Sequence, residues 1–327
     1  MTPIQPPLNA GLLAAGVLTC ILVHVAARLY PVAWRRQQQD VTPTGYGGFL
    51  GPVFVAGALL AAAPLTFLAA TVVVAVATAV YWLDDAKGLG VRLRLGMQFV
   101  VGAVIAGLLL WPPLQAHLPV LVGACVLGGV TNVVLTNVVN FYDGADLNLA
   151  LLMGLTAVCM MVFGGGDPIF WSVSVLALAF VLPFAAVNRI PRSLYLGDSG
   201  AFAFASLLTI IAASYLERDG GMNPLVFAPM ALPLLDTAFV FLLRIARKED
   251  LLSRNWHHLY QRLQIERRGF LYLIPQPVNL VLLVVAALTL ERLGLHIVWA
   301  TAIAIATVTP VFYFGVRKWL LGAGSAV

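Results

Sequence analysis

Two amides, two carboxylates and a glycine are crowded into residues 137–146, between two long apolar runs. If a helix continues past residue 140, Asp143 and Asp146 lie at positions i and i+3 and share one face of it. Polar groups crowded beside hydrocarbon are costly to keep there, so they are usually functional. A solvated, acidic loop between two helices is the alternative interpretation, and this stretch alone favours neither.

Two further carboxylates, Asp84 and Asp85, come directly after an apolar run that ends at Leu83. Adjacent carboxylates repel each other unless a cation or a proton lies between them. They therefore indicate metal binding or general-base chemistry, although charges that merely mark a helix end give the same pattern. Lys87 follows closely and supplies a compact cation of the kind that binds phosphate.

Asp198 is flanked by glycines in the stretch 196–200, immediately before another apolar run. Glycines allow the backbone to approach a ligand closely, and the free amides that open a helix favour anions. A carboxylate here would compete with a phosphate unless a divalent cation joined them, and Mg²⁺ prefers oxygen ligands. A turn that only caps a helix is the simpler interpretation.

The longest polar stretch, 244–268, contains Arg254 and the adjacent pair His257 and His258. Histidines with arginines nearby suit a diphosphate better than zinc, because cysteine and further histidine ligands are lacking. A basic segment lying on anionic lipid is the alternative, and both can hold. Asp236 lies inside the preceding apolar run, where we expect it to be paired or hydrogen-bonded between helices.

The elements that position these residues are membrane helices. Of 327 residues, 61% are hydrophobic and 10% are charged, with a mean hydropathy of +0.94, whereas a soluble chain carries roughly a quarter charged residues. The sequence therefore predicts an all-α polytopic membrane protein with a single transmembrane domain over residues 1–327. The first run is expected to be a helix that is kept and not a cleaved signal peptide. Eleven apolar runs are the expected crossings: 10–29, 48–63, 65–83, 96–111, 118–138, 147–163, 169–187, 201–216, 225–243, 270–290 and 296–314.

Positive charge sorts to one side of these crossings. When successive loops are assigned alternately to the two sides, all of the 19 Lys and Arg residues except Arg218 and Arg292 fall together. This bias predicts that the N-terminus lies outside and the C-terminus lies in the cytoplasm. The four polar stretches fall on the same side, so we expect one active site on the cytosolic face. No run alternates bases with aromatics as a nucleic-acid surface would.

Five short motifs follow one another in this order: Thr42-Pro43-Thr44 with Gly47-Gly48, Asp84-Asp85 followed by Arg94 and Gln98, Asn137-x-x-Asn140-x-x-Asp143-Gly144, Asn188-x-x-Pro191 leading to Leu196–Gly200, and His257–Leu263. Together they resemble the polyprenyl-phosphate N-acetylhexosamine-1-phosphate transferases of glycosyltransferase family 4. The Tyr-Gln pair after the histidines is most similar to the branch that initiates O-antigen and related glycans.

The chain departs from the family pattern at four places. Tyr46 stands where the family often has Arg or Met, and Leu147-Asn148 follows Asp146 without the second glycine of the Asp-Gly motif. Asn255 replaces the first histidine of the last motif, and Ala201 replaces a serine-type residue. These departures bear on the choice of sugar more than on the reaction.

The resemblance implies transfer of an N-acetylhexosamine 1-phosphate from a UDP-sugar to undecaprenyl phosphate, with release of UMP. This would be the initiating step of a cell-surface glycan (O-antigen, capsule or cell wall) in the bacterial cytoplasmic membrane. It implies Mg²⁺, with Mn²⁺ as an alternative, contact with membrane lipid, no nucleic-acid partner, and compatibility with a homodimer. By position, Asp198 would bind the metal and Asp84, Asp85 and Asp143 would be catalytic. The substrate-binding residues would be Lys87, Asn137, Asn140, Asp146, Asn188, Arg254, His257 and His258.

Two other classes of membrane protein are alternatives to this family. A secondary transporter would place its site near the midplane, where Asp236 is the candidate, whereas the other acids lie at a boundary. A CDP-alcohol phosphotransferase would need a longer signature than the one around Asp143-Gly144. The sugar, the aspartate that acts in the first pair and the oligomeric state stay open.

Overall fold

The protein is described from a computed structural model that covers residues 45–87, 89–189, 195–217, 222–250, 256–265 and 269–322. The run 10–29, the Thr42–Thr44 motif and Arg254 lie outside the described residues, and so does the side chain of Lys87. Within these ranges the chain is helical. The helices are α1 (Leu50–Leu60), α2 (Leu65–Lys87), α3 (Val91–Leu114), α4 (Leu118–Tyr142), α5 (Asn148–Phe163), α6 (Pro168–Asn188), α7 (Gly197–Glu217), α8 (Ala231–Ala246), α9 (Leu259–Ile265), α10 (Pro275–Arg292) and α11 (Ile297–Gly322).

Eight stretches in the described part of the chain are long and apolar enough to cross a membrane. Helices α2, α3, α4, α6, α7, α10 and α11 account for seven, and a 3₁₀ turn at Pro224–Met230 with α8 accounts for the eighth. A helix is stable in the hydrocarbon core of a membrane because its backbone N–H and C=O groups hydrogen-bond to each other. The polytopic, all-helical prediction is confirmed, whereas the count of eleven and the sidedness stay predictions.

Two of the expected crossings form shorter helices. Helix α1 has 11 residues and α5 has 16, fewer than the roughly 20 that a full crossing needs. The chain breaks between α1 and α2 at residues 61–64, where Ala62 has a positive φ of 47° and Pro64 follows. The break separates two apolar runs that hydropathy alone could have joined into one tilted helix.

Helix α7 is the centre of the bundle. It is the most buried of the eight spans, and every residue from Gly200 to Ile211 is buried. Many of these side chains are small, so α2, α3 and α4 pack closely against α7. The first turn of α7 therefore lies where the ends of several other helices meet.

Gly47, the first glycine of the early pair, packs directly onto that first turn. Gly47 donates its N–H to the Leu196 carbonyl at 2.9 Å, and a Cβ added at Gly47 would lie 2.1 Å from the Cα of Gly200. Tyr46, one of the departures from the family pattern, is buried with its ring centroid 5.5 Å from that of Phe184. Tyr46 is therefore accommodated at this position by packing against aromatic side chains.

Replacing Gly47 by alanine is expected to destabilise the protein, because the new Cβ would overlap the backbone of Gly200 and overpacking of this kind costs about 1–3 kcal/mol. The matched control is Gly154→Ala in α5, where an added Cβ meets nothing within 4 Å and alanine is the better helix former. The apparent melting temperature in detergent should fall for Gly47→Ala and hold or rise for Gly154→Ala. An unchanged melting temperature for Gly47→Ala would contradict the close approach.

Candidate active site

Four of the sequence-predicted carboxylates line one cavity at one end of the bundle. The cavity has a volume of about 360 Å³, and its walls are the end of α2, the start of α3, the residue after α4 and the start of α7. The residues that line it are Asp84, Asp85, Leu89, Arg94, Asp143, Tyr195, Gly197 and Asp198. Three polar stretches that lie far apart in the sequence are thus brought together, as the sequence predicted.

The start of α7 holds two of these carboxylates. Asp85 Oδ1 accepts from the Asp198 N–H at 2.8 Å, and Asp85 Oδ2 accepts from the hydroxyl and the N–H of Ser199 at 2.6 and 3.3 Å. Asp143 Oδ2 accepts from the Gly197 N–H at 3.1 Å. The first N–H groups of a helix have no partner inside the helix, and the helix dipole favours negative charge there. In this structure the anions at the helix start are the protein's own side chains, where the sequence had indicated a ligand.

Arg94 supplies the positive charge in the cavity. Its Nη1 lies 2.7 Å from Asp198 Oδ2, and its Nε lies 3.8 Å from Asp84 Oδ2. Tyr81 donates a hydrogen bond to the Arg94 carbonyl at 2.8 Å. Sequence reasoning found Arg94 only as part of a family motif and gave it no role. The available signal was its position in the sequence, ten residues after Asp84 and two before the next apolar run.

Magnesium fits the donor chemistry of this cavity. The candidate ligands are carboxylate oxygens, which Mg²⁺ prefers, and the buried Asp84 Oδ2 accepts no hydrogen bond. Among the described residues, however, no three Asp, Glu, His or Cys side chains are grouped closely enough to hold an ion. Asp198, the predicted metal ligand, is paired with Arg94 instead, so a cation would have to compete with that guanidinium.

Burial raises the pKa of Asp143 to about 8. The hydrogen bond from the Gly197 N–H lowers the pKa, while the charges of Asp198 and Asp85 raise it further. Burial also raises the pKa of Asp146 above its usual value. At neutral pH and without a bound metal ion, Asp143 therefore holds its proton.

A second cleft of about 200 Å³ adjoins the first, and the Arg94–Asp198 ion pair lines both. One side of this cleft is polar, with Gln98 and the predicted Asn137 and Asn140. Asn137 is held in place because its Nδ2 donates to Gln98 Oε1 at 3.2 Å and to the Val133 carbonyl at 2.7 Å. The other lining residues are Tyr81, Val91, Leu95, Thr136 and Phe141, most of them apolar.

The prediction that Asp143 and Asp146 share a helical face, which required the helix to continue past residue 142, is wrong. Helix α4 ends at Tyr142, and residues 143–147 form a turn in which Leu147 has a positive φ of 64°. The buried Asn188 stabilises this turn, since its Oδ1 accepts from the Leu147 N–H at 2.5 Å. The structure thus gives Asn188, predicted to bind substrate, a structural contact.

The two histidines lie outside both clefts. His257 Nε2 is 3.1 Å from a carboxylate oxygen of Glu249, and His258 is buried with its Nδ1 2.9 Å from Asp236 Oδ2. The expected pairing of Asp236 between helices is therefore present. Tyr260, which follows the histidines, donates to the Phe141 carbonyl, so this segment packs against the end of α4. Sequence reasoning missed Glu249 and Tyr313, which belong to no motif, and it gave no role to Ser199 although Ser199 lies within the Leu196–Gly200 motif.

Comparison with known proteins shows that part of this chain is similar to a known family. The family model described as glycosyl transferase family 4 matches residues 65–215, which include all four carboxylates of the cavity and Arg94. The histidine segment and Asp236 lie beyond the matched residues.

Individual relatives are similar at a moderate level. The chain is 28% identical over 133 residues to a probable undecaprenyl-phosphate N-acetylglucosaminyl 1-phosphate transferase of Bacillus subtilis, covering 39% of this chain and 37% of the relative. It is 28% identical over 298 residues to a decaprenyl-phosphate N-acetylglucosaminephosphotransferase of Mycolicibacterium smegmatis, covering 76% and 71%. It is 26% identical over 241 residues to a phospho-N-acetylmuramoyl-pentapeptide-transferase of Synechococcus, covering 63% and 67%. The match therefore spans just over a third of the Bacillus relative and more of the other two.

The raised pKa of Asp143 predicts how stability depends on pH. An unfolded aspartate has a pKa of about 3.9, so between roughly pH 4 and pH 8 the folded state binds a proton that the unfolded state has lost. Stability should fall as pH rises through this window and then level off. In metal-free detergent buffer, Asp143→Asn should flatten the decline in apparent melting temperature between pH 5 and pH 8.

The control for this measurement is Asp167→Asn. Asp167 caps the start of α6 by accepting from the Ile169 N–H at 2.7 Å, and asparagine caps a helix equally well. This variant should keep the wild-type dependence on pH. An Asp143→Asn profile as steep as that of the wild type would show that Asp143 titrates normally in the folded protein.

Proposed function

We propose that this chain, whose residues 65–215 match the model of glycosyl transferase family 4, transfers an N-acetylhexosamine 1-phosphate from a UDP-sugar to undecaprenyl phosphate. The products would be UMP and a polyprenyl-diphosphate sugar. The observation that carries the proposal is the grouping of Asp84, Asp85, Asp143 and Asp198 with Arg94 where four membrane-length helices begin or end.

In this reaction, an oxygen of the lipid phosphate attacks the β-phosphorus of the UDP-sugar. The bond from that phosphorus to the bridging oxygen breaks, and UMP leaves with the bonding electrons. Both reactants are anionic, so catalysis depends on positioning and on neutralising their charge. A bound Mg²⁺ would supply that neutralisation at the diphosphate oxygens, with Asp198 as the proposed ligand and Asp85 and Asp143 beside it.

The two clefts suit two different reactants. The second cleft is lined by Val91 and Leu95 of α3, whose side chains are also exposed on the outside of the bundle. A lipid phosphate could enter beside these apolar residues and reach Arg94, which lies between the clefts. Asn137 and Asn140 would donate hydrogen bonds to polar groups of the substrates there.

The remaining expectations belong to the same proposal. The relatives from Bacillus and Mycolicibacterium are named for N-acetylglucosamine, so UDP-N-acetylglucosamine is the first donor to test. We place the protein in a bacterial cytoplasmic membrane at the initiating step of a cell-surface glycan. Lys87 and Arg254 remain proposed phosphate-binding residues. The transporter alternative is not favoured, because Asp236 is hydrogen-bonded to three other residues.

The test is UMP release by the purified protein with undecaprenyl phosphate and a panel of UDP-N-acetylhexosamines, with Mg²⁺ or with EDTA. We expect lipid-dependent, Mg²⁺-dependent release. We expect at least about a 100-fold loss in Asp198→Asn, because the charge stabilisation lost with a metal ligand is worth several kcal/mol. Asp167→Asn, the matched control on α6, should retain wild-type activity.

Two kinds of result would contradict this proposal in whole or in part. If a folded preparation releases no UMP with any donor of the panel, the transferase proposal fails. A preparation that is active in EDTA, or an Asp198→Asn variant with wild-type activity, would remove Mg²⁺ from the proposal but would leave the transfer reaction.

A further inference from the structure

A buried carboxylate in α8 ties three elements together. Asp236 has no exposed surface, and its Oδ1 accepts from the Leu259 N–H at 3.0 Å and from the Tyr313 hydroxyl of α11 at 2.8 Å. Its Oδ2 lies 2.9 Å from His258 Nδ1. Arg317 adds charge to the group, with Nη1 at 2.6 Å from the Tyr313 hydroxyl and 3.8 Å from Asp236 Oδ1. We call Asp236, His258, Tyr313 and Arg317 the Asp236 cluster.

The cluster determines which nitrogen of His258 carries a proton. A carboxylate only accepts hydrogen bonds, so His258 Nδ1 must be the donor, whether the ring is neutral or protonated. This leaves Nε2 as the atom that can bind something else. Nε2 is buried and has no hydrogen-bond partner among the described residues. Buried polar atoms in folded proteins nearly always have a partner, so Nε2 can form a hydrogen bond that the described residues do not supply.

The histidine segment also packs against the loop that carries Asp143. The ring centroid of His258 lies 5.3 Å from that of Phe141, and the Tyr260 hydroxyl donates to the Phe141 carbonyl. A Cβ added at Gly144 would lie 2.4 Å from the Tyr260 hydroxyl oxygen, so the two segments are in direct contact. A shift of His258 would therefore be transmitted to the residues on either side of Asp143.

We propose that Asp236 is a positioning residue for the transfer reaction. It fixes the tautomer and the position of His258, and through His258 it holds the histidine segment against the Asp143 loop. The proposal rests on the transferase function given above, because it treats the Asp143 cavity as the reaction site. Asp236 itself touches no substrate in this scheme.

Asp236→Asn is the first variant to test. Asparagine has the same shape and can still accept from Tyr313 and Leu259, but its amide would face His258 Nδ1 and favour the opposite tautomer. We expect kcat for UMP release to fall about 10- to 100-fold, the scale on which partners that orient a histidine act, with a smaller change in donor KM. Asp167→Asn is again the control, and melting temperatures show that the variants are folded. Wild-type kcat in Asp236→Asn would overturn the proposal.

Two replacements of His258 separate positioning from packing. His258→Asn keeps a donor near the place of Nδ1 but has nothing at the place of Nε2, whereas His258→Gln places its amide near Nε2. If His258 serves only to anchor Asp236, His258→Asn, which keeps that donor, should keep wild-type kcat. The proposal requires His258→Asn to lose activity to an extent similar to Asp236→Asn.

Nitrogen NMR of the full chain, labelled with ¹⁵N-histidine and free of substrate, tests the tautomer without activity. The His258 signals are assigned by their loss in His258→Gln, and Nδ1 should be protonated in the wild type and unprotonated in Asp236→Asn. An unprotonated Nδ1 in the wild type would refute the positioning of His258. A protonated Nδ1 in a protein that makes no UMP would leave the positioning intact and refute the transferase function instead.

Discussion

The structure depends on the N–H groups in the first turn of α7, which have no hydrogen-bond partner within the helix. These groups and the Ser199 hydroxyl hold Asp85 from the end of α2 and Asp143 from the turn after α4. A helix start buried inside a membrane protein must satisfy its free donors, because water is scarce there. In this protein it does so with carboxylates from two other helices. The same bonds that complete the helix therefore bring the reactive side chains together.

Negative charge exceeds positive charge among the residues that line the cavity. Four carboxylates line it, and Arg94 is the one cation among its lining residues in the described part of the chain. Repulsion between the carboxylates is reduced because Arg94 pairs with Asp198 and because burial keeps Asp143 protonated near neutral pH. Because carboxylates outnumber the one arginine, the cavity is suited to binding a divalent cation. A bound cation would in turn attract anionic substrates. The acidic cavity is thus compatible with a reaction between two phosphates.

Packing around the cavity explains several residues that seem unrelated to chemistry. Gly47 lets the Tyr46–Phe49 turn lie on the first turn of α7, and Asn188 stabilises the reversal after α4. On the other side, Asp236 and Tyr260 join α8, α9 and α11 to the end of α4. Each of these contacts supports the loop or helix start that carries a cavity carboxylate.

The class of the protein and most of the cavity residues could be predicted from the amino-acid sequence. Apolar runs predict membrane helices because length and hydropathy are local properties, and the carboxylates at their ends were recognisable as one site from charge sorting and motif order. The contacts of each polar group could be seen only in the folded protein. The structure showed that Asp85 and Asp143 occupy the start of α7, that Arg94 pairs with Asp198, and that His258 faces Asp236. It also showed that α4 ends at Tyr142, so that Asp143 and Asp146 do not share a helical face. These outcomes depend on contacts between residues 22 to 113 positions apart, and no local pattern in the sequence records them.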